Sequence, residues 1–146
     1  MYLSTFEARY LSETIKLVEK MIEELWDSER GAFFQAKESS ELILRNKEIY
    51  DGAVPSGNSV AAYVLYLLYR ITGDTRYQKY ANETLNSFAK EIKAIKSAHS
   101  FALLVQDLLF SEPIDIVIAS RDKKEIDRFL EQMRKNIQKY AGACKN

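Results

Sequence analysis

The chain has 146 residues, 47% apolar and 29% charged, which suits one soluble domain with a real core and leaves too little for two. Its 21 basic and 21 acidic side chains cancel, and without a basic excess or stripe a general nucleic-acid binder is not expected. No basic segment followed by an apolar one marks a secretory leader, and the longest apolar run, Val60 to Tyr69, is too short to span a bilayer. A cytoplasmic protein with no membrane anchor is therefore expected.

Residues Thr5 to Trp26 read as an amphipathic helix. Leu11, Ile15, Val18, Ile22 and Leu25 recur at helical spacing, while Glu13, Lys16, Glu19, Lys20, Glu23 and Glu24 mark a solvated side. Ser4 with Glu7 makes a capping-box pattern at its start. Asp27 to Gly31 is a turn, after which Ala32 to Gln35 and Leu42 to Arg45 read as two short extended runs that could pair as a β-hairpin.

The segment from Arg45 to Ala62, R-N-K-E-I-Y-D-G-A-V-P-S-G-N-S-V-A-A, concentrates polar and conformationally special residues before the most apolar helix of the chain. Pro55 pushes Val54 toward an extended backbone, and Ser56 is then a natural N-cap. A helix start offers free N–H groups and partial positive charge. Ser56, Gly57, Asn58 and Ser59 would surround those donors, with Arg45, Lys47 and Asp51 approaching from the preceding segment. Such a place suits a hydroxyl-rich or anionic small molecule. The same residues equally serve a structural account, in which Ser56 caps the helix while Asn58 and Asp51 brace the loop.

The helix of Ser56 to Thr72 is apolar nearly all round, so burial on most sides is expected, with Gly73 as its stop. A third helix from Asp74 or Thr75 to Ile95 carries its buried stripe on Tyr77, Ala81, Leu85, Phe88 and Ile92. A fourth, Ser97 to Phe110, is again mostly apolar and carries Asp107, a carboxylate that would want Arg45, Lys47 or a backbone cap as partner. Pro113 ends it. Ile114 to Ser120 reads as a short strand, and Asp122 with Glu125 opens a last helix striped by Ile126, Phe129, Leu130, Met133, Ile137 and Tyr140.

Soft ligands are scarce. Cys144 is the sole cysteine, which excludes an intramolecular disulfide or a Cys-x-x-Cys pair, and His99 is the sole histidine. No zinc site, other metal or cofactor is expected. His99, at the start of the fourth helix, fits a structural role better than that of a general base.

Arg45, Lys47, Asp51, Gly52, Ala53, Pro55, Ser56, Gly57, Asn58, Ser59, Ala61 and Ala62 make a long run. It resembles the late part of the thioredoxin-domain-containing proteins of the spermatogenesis-associated type. The likeness continues through Thr72-Gly73, Tyr77, Ala81, Leu85, Phe88, Ile92, Asp107, Pro113 and Ile116-Val117-Ile118. It departs at Gly31-Ala32-Phe33-Phe34-Gln35-Ala36, where the family has a G-G-F-F-D-T-like run. The resemblance implies a mainly α fold. Antiparallel helical hairpins would form part of an α/α toroid of the six-hairpin glycosidase kind, with a short β-hairpin and one C-terminal strand plus helix. Residues 1–146 then make one domain, with hairpins in 1–112 and a strand-helix tail in 113–146. It also implies a carbohydrate-type pocket at the inner-helix start. Three functions follow: a non-catalytic or partner-dependent remnant that binds a saccharide or other small polar ligand at Arg45, Lys47, Asp51, Ser56 and Asn58; a self-sufficient carbohydrate hydrolase or epimerase with Asp51 and Asp107 as its acid and base; or a scaffold. An incomplete ring would leave apolar flanks open, so a homo-oligomer or a separate N-terminal partner chain is expected.

Overall fold

The computed structural model describes residues 7–38, 45–112, 118 and 120–143. The chain divides into two compact units, Met1–Glu112 and Pro113–Asn146. Among the described residues the protein is mainly helical, with essentially no strands. The first unit holds α1 (Ala8–Leu25), α2 (Gly57–Thr72), α3 (Thr75–Ser87), the short α4 (Ala89–Ala94), a 3-10 turn at Lys96–Ala98 and α5 (Ser100–Phe110); the second holds α6 (Lys123–Ala143).

The helix α2 is the centre of the first unit. Ala62 enters one core cluster with Ile49, Leu85, Phe88, Ala102 and Val105. Ala61, Leu65 and Leu68 enter a second with Val18, Phe33, Tyr77 and Ala81. Both clusters follow from the apolar spacing of the helices, since residues three and four apart share a face. Gly73 ends α2 in the left-handed region at φ 74° and returns its N–H to Tyr69, and Asp74 then accepts from the Arg76 N–H as the N-cap of α3. So tight a turn leaves α2 and α3 an antiparallel hairpin.

Three expectations need correction. The third helix is not continuous to Ile95: it breaks at Phe88, whose backbone leaves helical values at φ −109° and ψ 15°, and whose ring is buried with Ile92 in the first cluster. The helix of α5 starts at Ser100, because 96–98 closes as a 3-10 turn. The helix α2 is covered on most sides, as expected, with Val60 and Ile71 left exposed. No strand forms among the described residues. Phe33 makes only an isolated bridge with Trp26, and the Gln35 N–H donates to the Asn46 carbonyl at 2.9 Å. Of the remaining expectations, Ser4, residues 42–44 of the hairpin and most of the strand at 114–120 lie outside the described residues.

In the second unit, Asp122 accepts from the Lys124 N–H at 2.9 Å, while Glu125 reaches the Ser120 hydroxyl at 2.7 Å instead of closing a capping box. Among the described residues no helix is long and apolar enough to cross a membrane.

Candidate functional site at the start of α2

Residues 45–51 run extended. Arg45, Lys47, Ile49 and Asp51 turn inward while Asn46, Glu48 and Tyr50 face solvent, the period-two alternation of a strand. Among the described residues no neighbouring strand satisfies this backbone. Side chains and loop groups do so instead: the Asn58 amide donates to the Glu48 carbonyl at 2.9 Å, His99 Nδ1 lies 3.0 Å from the Ile49 carbonyl, and the Asp51 N–H reaches the Ala98 carbonyl at 2.8 Å. Since a carbonyl can only accept, His99 Nδ1 carries the proton.

Asp51 is the junction. Its side chain is buried, with Oδ1 accepting from the Ser56 N–H at 2.9 Å and Oδ2 accepting from the N–H groups of Phe101 and Ala102, each at 2.9 Å. One carboxylate thus receives donors from the starts of two helices, α2 and α5, which both point their positive ends at it. The N-termini of α2 and α5 are thereby held side by side. Ser56 Oγ accepts from the Ser59 N–H at 3.1 Å, and the two hydroxyls meet at 2.8 Å.

Asn58 is a bracket. Its Oδ1 accepts from the Phe33 N–H at 2.7 Å and its Nδ2 donates to the Phe33 carbonyl at 3.0 Å as well as to Glu48. The side-chain amide therefore takes the place of the missing ladder partner on both sides. Trp26 packs edge-on against Phe33 at 5.0 Å and against Tyr80 at 4.7 Å, closing the core beside it. Ala32, just before Phe33, is fully buried at φ 67°. The left-handed region favours glycine, which the resembling family has at the corresponding place.

Arg45 and Lys47 do not reach the helix start. The Arg45 guanidinium donates to the Ala36 and Glu24 carbonyls, each at 3.1 Å, and lies 4.0 Å above the Phe34 ring. Lys47 donates to Asp27 Oδ2 at 2.7 Å and to the Gly31 carbonyl at 2.8 Å. This hydrogen bond holds the Asp27 carboxyl below the ordinary carboxylate range. Burial pushes the other way, and the N–H groups of Arg30 and Glu29 assist. Both cations thus fasten the extended segment to the turn after α1.

Asp107 is exposed on α5. It lies five residues beyond Ala102, whose N–H Asp51 holds, hence about 7.5 Å farther along the helix axis. The partners Arg45 and Lys47 expected for it are engaged elsewhere, as above.

A cleft of about 300 Å³ opens beside the α2 start, lined by Met21, Leu25, Phe33, Phe34, Gln35, Glu48, Ser56, Gly57, Asn58 and Ala61. Its volume is at the lower end for small-molecule pockets. Much of its lining is apolar, Met21, Leu25, Phe33, Phe34 and Ala61 among it. Its polar edge includes the Gln35 amide, which donates to Glu48 Oε2 at 2.6 Å. The expected ligand residues Ser56, Gly57 and Asn58 line it; Arg45, Lys47, Asp51, Ser59 and Asp107 do not. Gln35 and Glu48 were not singled out from the sequence. The alternation of 45–51 contained the signal for Glu48, since it must face away from Lys47 and Ile49. Among the described residues no group of His, Cys, Asp or Glu is placed to hold a metal ion.

No family model matches the chain, and no solved structure matches it. Over 100 residues, 67% of this chain, it is 30% identical to spermatogenesis-associated protein 20 of Rattus norvegicus and of Homo sapiens, and 29% identical to that of Mus musculus. The matched stretch spans only 13% of the length of each of these relatives. The similarity is therefore distant and limited to one segment, in keeping with the family that the run from Arg45 to Ala62 resembles.

Proposed function

We propose that this chain is a non-catalytic or partner-dependent domain of six-hairpin type, whose cleft at the start of α2 holds a small hydroxylated ligand of the saccharide class. The observation that carries this reading is the division of labour around Asp51. The polar groups most suited to chemistry are committed to backbone partners. A largely apolar cleft remains beside them, with Gln35 and Glu48 in its lining. An apolar lining takes the apolar side of a sugar ring, and an amide next to a carboxylate offers donors and acceptors to paired hydroxyls. Neither Asp51 nor Asp107 lines that cleft, so nothing favours the acid–base pair of the enzyme alternative.

The test is a titration of the full chain with a panel of mono- and oligosaccharides, followed by NMR, with the mixtures then assayed for product. Saturable shifts at the cleft, weakened about tenfold by Glu48→Ala (an interaction of about 1.4 kcal/mol), with no product formed, are the expected outcome. Turnover that disappears in both Asp51→Asn and Asp107→Asn would overturn the non-catalytic reading. A panel without any binding would leave the scaffold.

A further inference from the structure

We infer that the cleft at the start of α2 selects a sugar that carries an amine and turns acidic sugars away. This rests on the ligand reading above and narrows it to one charge class. In the sequence, two cations beside a helix start suit an anion as well as a hydroxylated molecule. The structure takes both cations out of reach of the cleft. Lys47 is held by Asp27 at 2.7 Å and by the Gly31 carbonyl. Arg45 donates to the Ala36 and Glu24 carbonyls and stacks on Phe34. Neither lines the cleft. Lys37, two residues beyond Gln35, donates to Glu24 at 2.6 Å. The positive end of α2 is met from within the protein, because the buried Asp51 carboxylate accepts from the Ser56 N–H at 2.9 Å and offsets the helix charge.

What a ligand can touch is negative. Among the described residues Glu48 is the one charged side chain in the lining. Gln35 donates to its Oε2 at 2.6 Å, and a carboxylate with two oxygens has room for further donors. An ammonium group brings three donors and the opposite charge, whereas a carboxylate or phosphate on the sugar would meet like charge. Hydroxyl oxygens have their own place. The N–H groups of Gly57 and Asn58 open α2 and have no intrahelical acceptor. A Cβ at Gly57 would meet nothing within 4 Å, so the backbone there is open to close approach. The C–H side of the ring is left to the apolar lining at Met21, Leu25 and Phe33. With about 300 Å³, the cleft takes a single ring rather than a chain of them.

Titration of the full chain with glucosamine, glucose and glucuronate, followed by NMR at low and at high salt, tests this. The titrations are run at about pH 6, below the range of an α-amino group, so that the sugar amine is protonated. Glucosamine should bind about fivefold more tightly than glucose, the upper range for an exposed ion pair, and glucuronate more weakly than either. High salt should shrink the preference. Glu48→Gln keeps the shape and removes the charge, so it should bring the three sugars together; Asp107→Asn, an exposed carboxylate outside the cleft, should leave their order unchanged. Glucose or glucuronate binding as tightly as glucosamine overturns the inference and leaves the ligand reading standing. So does a glucosamine preference that survives Glu48→Gln or is indifferent to salt. Binding of none of the three overturns the inference together with the reading beneath it.

Discussion

Replacing Asp51 with alanine removes the one acceptor shared by the starts of α2 and α5. Three backbone N–H groups, those of Ser56, Phe101 and Ala102, each lose a 2.9 Å bond. Asp51 and Ala102 are buried, so water does not freely replace the lost acceptor there. A hydrogen bond to a charged group contributes about 1.5–3 kcal/mol, and a donor left buried and unpaired costs about 1–3 kcal/mol. These contributions overlap and the site relaxes in part, which places the loss at about 3–5 kcal/mol. Such a loss is a large share of the stability of a small protein. At about 4 °C per kcal/mol for a chain of this size, the melting temperature should fall by about 12–20 °C. Asp51→Asn keeps one oxygen and turns an N–H toward the remaining donors, so it should lose about 1.5–3 kcal/mol. Asp107→Asn, at an exposed position, should stay within about 0.5 kcal/mol. Urea denaturation followed by circular dichroism, with a thermal melt beside it, reads all three. A loss under about 1 kcal/mol for Asp51→Ala would refute the junction argument and return Asp51 to the pool of candidate chemical groups.

The Lys47–Asp27 pair should shape the acid limb of stability. The folded Asp27 carboxyl lies below its ordinary value because Lys47 donates to it. Its contribution is therefore complete above the unfolded value, about 3.9, and is lost as pH falls through the lower folded value. Lys47→Met should cost about 2 kcal/mol at neutral pH and flatten that limb in urea titrations run from pH 5 downward; an unchanged limb would contradict the assignment. At the alkaline end, burial, and then a 2.7 Å hydrogen bond to Glu19, pushes the Tyr77 phenol up to about 12. The unfolded phenol ionises first, near 10. The stability that Tyr77 contributes is thus fully present below about pH 10 and lost as pH rises toward 12. Tyr77→Phe should remove this alkaline loss, as followed by denaturant midpoints at stepped pH.

The sequence by itself determined the main helices and their order, though not the break at Phe88 that separates α3 from α4. Apolar spacing and the signals at Ser56, Gly73 and Asp74 are local, and each acts within a turn or two of backbone. It also marked the segment from Arg45 to Ala62 as the organising stretch, because the polar residues, glycines and Pro55 that open it cannot serve an ordinary helix. Only the tertiary structure decided what those residues touch. Asp51 meets Phe101 and Ala102, 50 and 51 positions away, and Asn58 meets Phe33, 25 positions away. No local pattern encodes such pairings. Arg45 and Lys47 were legible as cations, but their capture by Ala36, Glu24, Asp27 and Gly31 depended on where the turn after α1 was brought. The same holds for the apolar outer side of α2: composition showed a helix wanting burial, and only the packing of its neighbours decided which side was left to water.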